Sequence, residues 1–136
     1  YICAEWEFGG LPWWLLDRQD PVPLRCSDPW FLEKVAAYWA ELLPRVRRFM
    51  AARGGPVVAL QIENEFGYWG RDPAYLEALR GMVRDHLGED IPLLFTSDGT
   101  FQPDLQLNGG LEGVLRTANF GSSPEQRLAQ LRQAQP

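Results

Sequence analysis

The chain has 136 residues, 46% of them hydrophobic and 12% aromatic, and a formal net charge of -5. That is one domain's worth of chain with enough apolar material to bury a core. The acidic balance excludes a basic nucleic-acid footprint and a polybasic membrane-surface segment, and no apolar run reaches the roughly 20 residues a membrane helix needs.

Residues 1–7, "YICAEWE", are short, apolar and aromatic, and predict a buried strand. Residues 8–27 carry Gly9, Gly10, Pro12, Pro21 and Pro23 and predict a long loop, with one helical turn over 13–16. Asp28 followed by Pro29 is a helix start, an N-cap carboxylate before a proline at the first helical position. Phe31, Val35, Trp39, Leu42, Val46 and Phe49 follow at helical steps as one apolar face. Pro44 is expected to kink or interrupt that helix, and Gly54-Gly55-Pro56 to end it. Residues 57–65 predict the next strand. Residues 72–87 predict a helix with Tyr75, Leu79, Val83 and Leu87 on one face and Gly88 as its stop. Strands over 93–98 and 114–120 follow, then a helix over 124–133 with Leu128 and Leu131 as its apolar residues.

Strands alternating with helices imply an α/β fold with a parallel sheet, and chemistry in such sheets collects at the carboxyl ends of the strands. Polar residues stand at those ends: Glu5 and Glu7, Asn64 and Glu65, Ser97 and Asp98, Asn119. Alternation sorts 57–65 into two faces. Val58, Leu60 and Ile62 suit packing under helices; Val57, Ala59, Gln61, Glu63 and Glu65 share the other face. An open doubly wound sheet wants both faces apolar, so a face carrying Gln and Glu suits the inside of a closed barrel. Asn64 has the wrong parity to point with Glu65, so the pleat must break at the strand end, as a bulge would do.

Carboxylates at a barrel mouth can bind a divalent metal or work on a glycosidic bond. Cys3 and Cys26 have no zinc spacing and the single histidine, His86, lies on a polar helical stretch, so neither a metal nor a cofactor is expected. Trp6, Phe8, Trp13, Trp14, Phe66, Tyr68 and Trp69 surround the carboxylates and could stack on a sugar or pack the core.

The stretches "YICAEWEFGGLPWWLL", "GGPVVALQIENEFG", "FTSDG" and "NFG", in that order, resemble the catalytic barrel of family 35 glycoside hydrolases, the β-galactosidases. The resemblance implies a (β/α)8 TIM barrel, of which residues 1–136 would be a fragment of a single catalytic domain, about strands 3 to 6 with their helices. It implies retaining hydrolysis of terminal β-linked galactose, with a β-galactoside oligosaccharide or glycoconjugate as substrate. Carried over by motif, Glu65 is the acid/base, Asn64 binds the sugar, and Glu5 with Ala4 and Cys3 lines the galactose pocket. The nucleophile would lie beyond Pro136. Glu63, one layer below Glu65 by parity, and Glu7 are expected to be structural; Ser97, Asp98 and Asn119 are expected to support the site from loops. Both ends look cut from a longer chain, so a targeting segment would fall outside it, and neither compartment nor oligomeric state follows. Two other readings stay open: a non-catalytic carbohydrate-binding barrel, and a barrel glycosidase for another β-linked sugar.

Overall fold

The computed structural model describes residues 10–17, 23–102 and 104–134. The expected first strand lies outside the described residues. A short 3-10 turn, Trp13–Leu15, leads towards helix α1, Pro29–Arg47. Then come β1 (Ala59–Gln61), the single turn α2 (Phe66–Trp69), α3 (Pro73–Leu87), β2 (Leu93–Gly99), the short α4 (Leu105–Asn108), β3 (Leu115–Asn119) and α5 (Pro124–Ala134). The three strands form one parallel sheet in the order β1-β2-β3.

Both long helices start where their caps dictate. Asp28 accepts hydrogen bonds from the amides of Trp30 and Phe31, at 2.9 and 3.3 Å. Asp72 accepts from Tyr75 N at 3.0 Å and from Ser27 N at 2.7 Å, which ties the two helix starts together. Burial alone would raise the Asp72 carboxyl, but the amides of Ser27 and Tyr75 outweigh it and hold the group below its ordinary value.

One face of the sheet packs under α1 and α3. Phe31, Ile62, Phe66, Tyr75, Leu76 and Leu79 form one buried cluster, and Leu43, Met50, Val83 and Leu87 a second, with Leu60 and Leu94 packed against both. All four residues expected on the apolar face of α3 are buried. Tyr75 is central: its ring lies 6.0 Å from that of Phe31 and 5.2 Å from that of Phe66, both tilted. The opposite face is bare at Leu93 and Leu115, which are 57% and 50% exposed.

Several expectations need correction. Pro44 does not interrupt α1, which runs on to Arg47. Proline removes the bond to the carbonyl one turn back, and beside that gap the Arg45 guanidinium donates to the Glu41 carbonyl at 3.0 Å. The helix ends before Phe49, not at Gly54, so Phe49 is exposed and Met50 takes the buried place. A 3-10 turn, Ala51–Arg53, and left-handed Gly54 complete the connection. The second strand is three residues, not nine. Val57 bridges Met50 and packs with it, so the chain rotates before β1 and Val58 faces outward. Leu128 on α5 is exposed, and none of the residues of that helix whose burial is described is buried.

Candidate active site

The sheet register stops short of the motif that follows β1. Ile62 N still donates to Phe95 O, and Glu65 N to Ser97 O, each at 2.8 Å. Between these two anchors the chain is not extended. Glu63 has φ 60° and Glu65 has φ 48°, left-handed conformations that cost a non-glycine residue of order 1 kcal/mol or more. The pleat does break, as the parity of Asn64 requires, but by two left-handed residues and not by a bulge in a paired strand. These turns let consecutive side chains leave in directions an extended strand would forbid.

Glu63 is the best held of the three. Its carboxylate forms a two-pronged ion pair with Arg25, Nε to Oε1 at 3.0 Å and Nη2 to Oε2 at 2.6 Å. Tyr75 Oη donates to Oε1 at 2.8 Å and Asn64 N to Oε2 at 2.7 Å. Burial, with the Glu63 carboxylate beside it, pushes the Tyr75 phenol far above its ordinary value, so it stays a donor. The expected hydrogen-bonded role of Glu63 is seen. Its expected direction is not: the left-handed backbone turns it to meet a tyrosine from the helix-side core.

Asn64 is also buried. Its carbonyl accepts from Arg25 Nη2 and its Oδ1 from Gln61 Nε2, both at 2.8 Å. Among the described residues nothing takes its Nδ2 donor. Glu65, by contrast, is partly exposed. Its Oε1 accepts a long bond of 3.4 Å from Asn119 Nδ2, and Asn119 Oδ1 accepts from Ser97 Oγ at 2.8 Å. Glu65, Ser97 and Asn119 therefore form one polar row across the carboxyl ends of the three strands.

Asp98 goes elsewhere. It alternates with Ser97 and points to the helix side, where Oδ1 accepts from Gly67 N at 2.7 Å. Burial raises its carboxyl to about 6 against that amide, and the charges of Glu63 and Glu65 push the same way. The pocket around it is tight. A Cβ on Gly109 would sit 2.1 Å from Asp98 Oδ1, and one on Gly67 2.2 Å from Leu105 O.

Cys3, Ala4, Glu5 and Glu7 lie outside the described residues. Of the aromatic residues, Phe66 is core, while Trp69 donates to Leu24 O at 3.1 Å and stacks on the Arg25 guanidinium at 5.1 Å. Trp13, Trp14 and Tyr68 are exposed. Among the described residues no group of three His, Cys, Asp or Glu side chains is arranged to hold a metal ion, and no helix is long and apolar enough to cross a membrane. Arg25 and Tyr75 are the contributors that sequence reasoning missed. Tyr75 reads correctly as core, but a core tyrosine's hydroxyl needs a partner, and the buried Glu63 could have been sought as that partner.

The sequence matches the family described as glycosyl hydrolases family 35 over residues 1–136. The chain belongs to that family. Among curated relatives it is similar to "Beta-galactosidase 1" of Dictyostelium discoideum, 39% identical over 132 residues, which cover 94% of this chain and 20% of the relative. It is 46% identical to "Beta-galactosidase" of Felis catus over 122 residues, 89% of this chain and 18% of that protein. With "Beta-galactosidase" of Homo sapiens it shares 45% identity over 123 residues, 90% and 18% respectively. The chain thus spans about a fifth of the length of these curated relatives.

Proposed function

We propose that residues 1–136 are the central part of a (β/α)8 catalytic barrel, and that the complete protein is a β-galactosidase acting with retention of configuration. The observation that carries the reading is the pairing at the end of β1. A partly exposed carboxylate, Glu65, follows a buried amide, Asn64, whose Nδ2 has no partner among the described residues, and Glu65 shares a polar row with Asn119 and Ser97. Family membership and relatives named β-galactosidase support the choice of reaction and sugar.

In this reading Glu65, protonated, donates to the aglycone oxygen as the glycosidic bond breaks. A carboxylate from a strand outside these residues attacks the anomeric carbon from the opposite side, with the two carboxyls about 5 Å apart. Glu65 then takes a proton from water, and that water releases galactose. Asn64 Nδ2 donates to the sugar 2-hydroxyl, a bond that tightens in the transition state. Glu5, with Ala4 and Cys3, receives the remaining galactose hydroxyls. No cofactor takes part. The retained Glu65 favours an enzyme over a binding protein, since binding needs no poised acid. A panel of nitrophenyl glycosides on the complete protein tests the reading. It predicts a strong preference for the β-galactoside and a first-formed β-anomer by NMR. Preference for another sugar, or an α-anomer as first product, would overturn it.

A further inference from the structure

Four non-glycine residues have positive φ among the described residues, and three of them, Arg25 at 53°, Glu63 at 60° and Glu65 at 48°, meet at the end of β1. Strain concentrated in this way persists only where the surroundings over-determine it. Here they do. The Glu63 carbonyl accepts from Gln61, the Asn64 amide is held by the Glu63 side chain, the Asn64 carbonyl by Arg25, and the Glu65 amide by Ser97 O. Every backbone hydrogen-bonding group from the Glu63 carbonyl to the Glu65 amide is thus fixed, and the Arg25–Glu63 pair supplies two of the four bonds. The pair is also buried, with side chains 10% and 2% exposed, and the guanidinium lies over the Phe66 and Trp69 rings. A buried ion pair adds little net stability compared with apolar packing of the same volume, so geometry is the better reason to keep one.

We propose that Arg25 and Glu63 are a positioning pair for the acid/base group. They clamp residues 63–65 in the left-handed turn that aims Glu65 at the leaving-group oxygen and Asn64 at the sugar. Tyr75 completes the clamp from α3, and Arg25 links it to the loop ahead of α1. Neither charged residue needs to touch substrate. Arg25→Lys keeps the charge but loses the two-pronged contact and the reach to the Asn64 carbonyl.

This rests on Glu65 being the proton donor, and its test is built so that the two can fail separately. The complete protein is assayed on a dinitrophenyl β-galactoside and on lactose. Dinitrophenolate leaves without a proton, and kcat/KM reports only the steps up to glycosidic cleavage, so the ratio of the two kcat/KM values reports the aim of the acid and does not change with the fraction folded. In Arg25→Lys and Glu63→Gln that ratio rises roughly 10-fold or more in favour of the activated substrate, as a misaimed group requires, with KM for lactose changing less than kcat. In Tyr75→Phe it rises about 3-fold, the size of one net hydrogen bond. Equal losses on both substrates in these variants overturn the proposal. If Arg25→Lys and Glu63→Gln do not fold, Tyr75→Phe decides, and an unmoved ratio there overturns it. Glu65→Gln is the control: if it leaves the ratio unmoved, the proton-donor reading falls and this proposal with it. A shifted ratio in Glu65→Gln with unshifted ratios in the pair fells the positioning role alone.

Discussion

The helix side of the sheet and the carboxyl end of β1 are built on opposite plans. On the helix side, Phe31, Leu76, Leu79, Val83 and Leu87 are buried apolar side chains on regular, capped helices. Each such residue stabilises the fold by about 1.5–3 kcal/mol through burial, and the shape of any one matters only as packing. At the strand end the buried groups are polar, the backbone is left-handed twice in three residues, and an ion pair replaces apolar contact. The first region supplies stability that the second consumes in holding a fixed direction. The two should respond to mutation in different ways.

The largest expected effect is on the helix side. Phe31→Ala should cost about 3–5 kcal/mol in a urea titration of the complete protein, while kcat per folded molecule stays near wild type. A large kcat loss at full folding would show that the two regions are not separable. Next comes Gly109→Ala, whose added Cβ would meet the Asp98 carboxylate at 2.1 Å. Overpacking of this kind typically costs about 1–3 kcal/mol, read as a lower melting temperature. Asp28→Ala removes an N-cap that holds two amides, and should cost about 1 kcal/mol without changing the activity of folded molecules.

A further prediction concerns pH and Asp98. Its folded value of about 6 lies above its ordinary one, so the folded state binds more protons in the window between them. Stability from this group is therefore highest below about pH 4 and is lost as the pH rises to about 6. Asp98→Asn should remove that decline, flattening the stability profile between those limits. An unchanged slope would mean that Asp98 does not titrate in this way. Smallest on stability is Asn119→Ala, expected within about 0.5 kcal/mol because the residue is exposed. Turnover should fall, but by less than on removing the Glu65 carboxylate, whose bond to Asn119 is long at 3.4 Å.

The same contrast explains what could be read from the sequence. Helices announce themselves through spacing and caps, so Asp28-Pro29 and the Tyr75–Leu79–Val83–Leu87 face were legible. So was the gathering of Asn64, Glu65, Ser97 and Asn119 at strand ends, because polar residues closing an apolar run have few other places to go. The direction of Glu63 was not legible. Period-two alternation holds only while the chain is extended, and nothing in Glu-Asn-Glu signals left-handed backbone as a glycine would. Arg25 was hidden for a different reason. It sits alone in a proline-rich loop, 38 positions from its partner, and no local pattern encodes so distant a pair. The exposure of Leu128 and Leu115 was illegible too, since periodicity tells which side is apolar and not whether anything covers it.

The central claim is that Glu65 is the acid/base group of a β-galactosidase. Its most direct measurement is kcat on lactose for Glu65→Gln in the complete protein, with the folded fraction measured alongside. Loss of a positioned proton donor predicts a fall of about 10²–10⁴-fold, with a much smaller fall on a dinitrophenyl β-galactoside in its glycosylation step. Lactose turnover near the wild-type rate in fully folded Glu65→Gln protein would contradict the account.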